Sequence, residues 1–403
     1  MLISSRVKGI QDSITMKLNE KSLMLSEEGR VLYNLSGGQL PIKPTIEFIE
    51  KIHHQLNFLK SYQYSPSAGF PALRKKLLNH FVSSRKMPDE LFEADWDVIV
   101  SNGSKHSIYN ALGALINPDD EVILLAPYWV SYPEMIKFWG GKPIVVKSNV
   151  YNAFVPAIDD IRKAVSSSTK AIIVNSPNNP SGVHYSETWM REFATFLNEH
   201  PEIVVISDEV YSDLSYFDPK PYYFYQFDHS LMKRTVVVHA ISKTLAATGL
   251  RLGWVIAPSE IISAMSSIQG QTTSGPNSLI QRSLIDFDFS HIESFLNPVK
   301  NHLRQNADTL REKFREANLG HCWYQSTSAF YFMIDFSRTP MFKRFEDQND
   351  HSNLIAEELL ESEGIIVVPG TDFGIPNTAR IALVIEEVPF REAITKLIKY
   401  LGA

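Results

Sequence analysis

The sequence predicts an α/β fold: a mostly parallel, mixed seven-stranded sheet flanked by helices, with a smaller α+β domain formed by both chain ends. Two observations carry this reading. Seven short Val/Ile-rich runs stand at 98–100, 121–125, 143–146, 171–174, 203–206, 235–238 and 254–257. Near-continuous apolar runs of that kind suit strands buried on both faces of a sheet. Stretches of helical character separate several of them, at 107–115, 131–138, 158–166 and 186–198, and such alternation marks an α/β domain.

Taken in order, residues 1–44 read as an arm with a helix-like start and a polar turn closing at 36–41. Over 45–59 the positions Ile46, Phe48, Ile49, Ile52 and Leu56 recur at helical spacing,. A second helix is predicted over 70–82, opened by Pro71 in its first turn,. The alternating stretch then gives a large domain over 45–290. Beyond it the texture shifts to a long helix at 292–317, a strand at 329–334 and a polar loop at 339–353. A helix at 354–363 and strands at 365–368 and 379–384 follow. Residues 1–44 and 291–403 together form the expected small domain.

Composition narrows the function classes. A chain of 403 residues with 44% hydrophobic and 21% charged content can bury a sizeable core,. Its net charge of −6, without a basic block, argues against nucleic acid,. Residues 1–44 are too short and too weakly basic for a DNA-binding module ahead of the α/β domain. One cysteine, Cys322, rules out an internal disulfide and fits a reducing compartment,. The first residues lack the unbroken apolar stretch of a secretory leader, being interrupted by Ser4, Arg6, Lys8 and Asp12,. No apolar run is long enough to span a bilayer. A cytoplasmic protein that does not enter membranes is expected.

Ligands of open α/β sheets bind beyond the carboxyl ends of the strands, so the polar residues after each apolar run are the candidates. After 98–100 come Asn102, Gly103, Ser104 and Lys105, opening a helix whose amides and dipole suit a phosphate,. After 121–125 comes Trp129, a face on which a flat ring can stack,. After 171–174 the turn 175–182 holds Asn179 rigidly before Pro180,. After 203–206 come Asp208, a carboxylate suited to a protonated ring nitrogen, and Tyr211. After 235–238 come Ser242 and Lys243, whose amine becomes a nucleophile if desolvation lowers its pKa,. Arg251, between Gly249 and Gly253, and Arg380, in a strand-like run, are forked cations for phosphate and carboxylate,. Singly, each piece also reads as a capped turn, a core aromatic or a local salt bridge. Together they are the parts that pyridoxal phosphate needs. No zinc spacing and no dinucleotide fingerprint competes with them.

The chain resembles the class I and II aminotransferases, a fold type I pyridoxal-phosphate family, over nearly its whole length. The resemblance rests on 64–69 with Arg74, 102–105, 126–133, 175–182, 207–211, Ser242-Lys243 with 249–251, and Arg380, in the family's order. It implies that Lys243 forms the internal aldimine and shuttles the proton between substrate Cα and cofactor C4′. It implies that Asp208 keeps the ring nitrogen protonated, Asn179 and Tyr211 bond the phenolic oxygen, and Trp129 stacks on the ring. Gly103, Ser104, Lys105, Ser242 and Arg251 would surround the phosphate. Gly38, Asn179 and Arg380 would hold the substrate α-carboxylate. Tyr64 resembles a tyrosine lent to the neighbouring subunit, implying a homodimer with shared sites. The implied reaction is ping-pong amino transfer between an amino acid and a 2-oxo acid, with 2-oxoglutarate as the expected acceptor. A carbon–sulfur β-lyase on the same scaffold is the alternative. Ala240, Ser181 and Gln39 depart from the family pattern, and no second arginine for dicarboxylic substrates stands out.

Overall fold

The computed structural model describes residues 14–402 apart from 93–94, 346 and 348, together with residue 4. Most of the stretch on which the reading of the chain start rests lies outside them. Twelve strands occur among the described residues: β1 (Tyr33–Asn34), β2 (Trp96–Ser101), β3 (Glu121–Leu125), β4 (Lys142–Val146), β5 (Thr169–Asn175), β6 (Val204–Asp208), β7 (Thr235–Ala240), β8 (Gly253–Pro258), β9 (Tyr331–Asp335), β10 (Ile365–Ile366), β11 (Val368–Pro369) and β12 (Thr378–Ala382).

Each of the predicted apolar runs becomes a strand of one seven-stranded sheet, ordered β2-β8-β7-β6-β5-β3-β4. The sheet is mixed because β8 alone runs against its neighbours, pairing antiparallel with both β2 and β7. The remaining pairings are parallel. Alternate residues feed two cores, as the period of two in a strand requires. Ile99, Val122, Leu124, Ile173, Ile206 and Val255 face the helices Ser104–Leu115, Ser131–Phe138 and Ser259–Thr272. Val98, Ile123, Ile172, Val205, Val237 and Ile256 belong to the opposite core, with Leu77 and Phe81 of Pro71–Arg85 and Phe193 and Leu197 of Glu187–Glu199. Burial on both sides is why these runs lack a polar face. The edge strand β4 is the exception, with Lys142 and Val145 exposed, as an unpaired edge tolerates.

A second group of elements comes from the chain ends. β9, β11 and β12 form an antiparallel sheet in the order β11-β12-β9, and β1 pairs in parallel with β10. Helices Ile292–Glu316 and Glu387–Tyr400 pack together through apolar faces that include Leu303, Leu310, Ile394 and Leu397. Their charged residues lie on the other sides, as amphipathic helices arrange them.

Two details differ from the sequence reading. The single strand expected at 365–368 divides at Val367, because its first half pairs with β1 and its second half with β12. The helices Ser259–Thr272 and Ser278–Ile285 were not anticipated. Ser, Gln, Thr and Gly dilute their apolar stripe, and packing on the sheet supplies the stability that propensity lacks. No described helix is long and apolar enough to cross a membrane.

Candidate active site

The carboxyl ends of β3, β5, β6 and β7 open into a cavity of about 490 Å³. Asp208 is the last residue of β6 and is 4% exposed. Its Oδ2 accepts a 2.5 Å bond from the Tyr132 hydroxyl, and its Oδ1 accepts one from the Val210 amide at 3.3 Å. It makes no ion pair among the described residues. Burial therefore dominates and pushes its carboxyl up to about 6, against the pull of Tyr132,. A carboxylate so placed is costly until a cation meets it.

Lys243 lies across the cavity on the single helical turn Ile241–Thr244, which β7 leads into. Its Nζ donates to the Gly38 carbonyl at 2.5 Å and stands 5.8 Å from the Tyr211 ring centre and 5.4 Å from that of Phe330. Burial, reinforced by Arg380 and Arg251, lowers the amine to about 8. It is thus far closer to a free nucleophile at neutral pH than an ordinary lysine.

One end of the cavity is cationic. Arg251 adopts a left-handed backbone (φ 52°) and donates to the carbonyls of Thr248 (2.9 Å) and Asn102 (3.4 Å). Gly103 caps the helix Ser104–Leu115 without a side chain. A Cβ on it would come within 2.7 Å of the Arg251 guanidinium. The helix's first amides consequently face the ligand space beside a positive charge, an arrangement that attracts phosphate. Lys105 sits 4.9 Å over the Trp129 ring, its amine lowered by burial and by Arg251.

At the other end, Arg380 of β12 is 8% exposed. Its Nη1 donates to Asn179 Oδ1 (3.0 Å), its Nη2 donates to the Ser36 carbonyl (2.9 Å), and its Nε is buried without a partner. The backbone amide of Asn179 donates to Asn175 Oδ1 and the Asn175 amide donates to the Asp208 carbonyl, so a hydrogen-bonded line joins Arg380 to the end of β6.

The structure thus brings Gly38, Ser104, Lys105, Trp129, Asn179, Asp208, Tyr211, Ser242, Lys243, Arg251 and Arg380 to one cavity, with Gly103 immediately behind Arg251. Tyr64 is not among them. It is 92% exposed, and Ile46, Leu59 and Tyr62 are exposed as well. Tyr132 was missed. It lies just inside the helix Ser131–Phe138, three residues after Trp129, and its ring meets the Trp129 ring edge-on at 5.4 Å. Tyr331 belongs to the aromatic run 330–332, which the sequence suggests as a pocket lining for apolar or aromatic side chains, and it stands in the cavity wall. Glu209, beside Asp208, turns away from the cavity into a buried network with Arg85, Tyr225 and Ser207.

A family model described as aminotransferase class I and II matches residues 30–397. The chain belongs to the class I and II aminotransferases. It is 32% identical to the aspartate/prephenate aminotransferase of Thermus thermophilus, with 99% of each chain covered. It is 28% identical to the aspartate aminotransferase of Bacillus subtilis, again over 99% of each. Among solved structures it is similar to the Thermus thermophilus aspartate aminotransferase with maleate, at TM-score 0.87 and 30% identity, over 99% of this chain and 100% of that one. The aminotransferase fold thus accounts for the mixed sheet, its reversed strand and the cavity at the strand ends.

Proposed function

We propose that the cavity binds pyridoxal 5′-phosphate and that the protein exchanges an amino group between aspartate and a 2-oxo acid, with 2-oxoglutarate as acceptor, in a ping-pong cycle. The carrying observation is the buried Asp208 carboxylate, without an ion pair among the described residues, facing the cavity that holds the Lys243 amine. The residues fit the group: an acid for a ring nitrogen, a cationic amide cradle for a phosphate and an amine for an aldehyde. When bound, the cofactor's ring supplies an electron sink for charge developing at the amino acid Cα.

The chain's own residues then divide the work. Lys243 Nζ would hold the cofactor through its aldehyde and, when free, would carry a proton to and from the substrate Cα. Asp208 would keep the proton on the ring nitrogen, an ion pair that would lower its own pKa again. Asn179 and Tyr211 would donate to the phenolic oxygen, and Trp129 would cover the ring face. Arg251 and the amides of Ser104 and Lys105 would hold the phosphate. Arg380, with Asn179 and Gly38, orients the α-carboxylate.

Aspartate is favoured by the names of the relatives and by Lys105, a further cation on the cavity wall with no ion pair among the described residues. We assign its ammonium to the substrate's distal carboxylate. Lys105→Gln should raise the KM for aspartate roughly 10- to 100-fold, the cost of one charge-assisted bond, while leaving the KM for alanine nearly unchanged. Parallel rises for both substrates would place Lys105 elsewhere.

The large unit would span 45–290 and the small unit 1–44 with 291–403. Two copies would pair through the exposed surface around Ile46, Leu59, Tyr62 and Tyr64, bringing each Tyr64 to the partner's phosphate site. A cytoplasmic setting suits the buried Cys322 thiol. The direct test is a half-reaction: aspartate added to cofactor-loaded protein without any oxo acid. Conversion of the lysine-bound absorbance to that of the aminated cofactor, with stoichiometric oxaloacetate, is expected. Cysteine added in the same way, giving pyruvate, ammonia and sulfide with the lysine-bound absorbance regenerated, would instead identify the lyase chemistry.

A further inference from the structure

Tyr331 stands against two residues on which the proposed chemistry turns. It opens β9, is 1% exposed, and pairs with Ala382 of β12. The antiparallel register places it diagonally across from Arg380 on the same face of the sheet, within reach of a long side chain,. The Arg380 guanidinium lies 4.4 Å from its ring centre, and its hydroxyl lies 3.2 Å from the hydroxyl of Tyr211.

A phenol has one proton to give and lone pairs to receive. If the single Tyr211 proton goes to the cofactor, the proton between the two phenols must come from Tyr331. We propose that Tyr331 is a positioning residue, whose hydroxyl donates to the Tyr211 oxygen and thereby holds the Tyr211 proton toward the phenolic oxygen of pyridoxal phosphate. This rests on the reading of the cavity given above. The charged groups facing the pair are Arg380 from β12, Lys243 from the turn after β7 and Asp208 from the end of β6. Burial holds both phenols above their ordinary range, so each keeps its proton at neutral pH. Arg380 opposes this shift in both, and Asp208 reinforces it in Tyr211.

The ring and the hydroxyl of Tyr331 are separable. Tyr331→Phe keeps the surface under Arg380 and removes only the donor. A bond to the phenolic oxygen stabilises the charge that oxygen carries once the neighbouring linkage nitrogen has lost its proton. Weakening that bond therefore raises the pH at which the lysine-linked cofactor changes absorbance. Spectrophotometric pH titration of the loaded wild type, Tyr331→Phe, Tyr211→Phe and the double variant tests this. The Tyr331→Phe midpoint should rise by roughly half a pH unit, the value of one modest hydrogen bond. Its kcat should fall several-fold with KM held. Tyr211→Phe should shift further, and adding Tyr331→Phe to it should change nothing more. A Tyr331→Phe midpoint equal to the wild type's, with or without a lower melting temperature, overturns the proposal, as does an undiminished second shift in the double variant. Absence of any lysine-linked absorbance in the wild type overturns the cofactor reading itself.

Discussion

Lys243→Ala is expected to abolish the lysine-linked absorbance and to lower turnover by roughly four orders of magnitude or more, since it removes both the proposed covalent anchor and the proposed proton carrier. Arg251, the cap at Gly103 and Asp208 remain, so the cofactor should still bind without a covalent link. Borohydride reduction followed by peptide mass mapping checks this: the label should sit on Lys243 in the wild type and on no residue of the variant. Label on Lys105, the other amine of the cavity, would move the anchor there. The electrostatics add a pH signature. With the amine lowered to about 8, capture of the aldehyde by apoprotein should rise through about pH 8 and level off, where an ordinary lysine climbs to roughly 10.4. The sign for folding follows from the same shift. A folded-state pKa below the unfolded one means the unfolded chain binds more protons between those values. Apoprotein stability should therefore increase with pH across that window, and Lys243→Ala should lose that slope.

The site was legible in the sequence where chemistry follows directly on a buried strand. Asp208, Asn175 and the approach to Lys243 come at the ends of β6, β5 and β7, and a parallel sheet buried on both faces announces its strands by unbroken apolar runs. The strand order was not legible. Nothing local in Trp254-Val255-Ile256-Ala257 distinguishes the reversed β8 from its parallel neighbours, because direction is set by the connection and not by the strand's composition. Tyr132, and the polar role of Tyr331 as distinct from its place in an aromatic pocket lining, were hidden for a different reason. A buried tyrosine is usually a large apolar body with a satisfied hydroxyl. Only the pairing of β9 with β12, and the packing of Ser131–Phe138 against β3 and β4, show which polar atom each hydroxyl meets. Tyr64 illustrates the converse: its motif was plain, yet in a single chain it faces solvent.

Arg380→Leu is expected to raise the KM for the amino acid and the oxo acid together, each by roughly 10²- to 10³-fold, the cost of about 3–4 kcal/mol for losing one partner of a buried charged pair. The guanidinium is fixed before substrate arrives: Asn179 and Ser36 take its two Nη groups, and the Tyr331 and Phe373 rings lie 4.4 and 5.2 Å away. It has no carboxylate partner among the described residues. Its charge is thus buried at a net cost until an acid enters. Leucine removes that cost, so the variant should melt no lower than the wild type and should load cofactor normally, which separates lost recognition from lost folding. Arg380→Lys should fall between them, since it keeps the charge but not the fork that meets both carboxylate oxygens. Steady-state KM values for both substrates decide the matter. In a ping-pong cycle the amino acid and the oxo acid present their α-carboxylates in turn to one site. The two constants must then rise in step, and a rise in one alone would assign the two carboxylates to different groups.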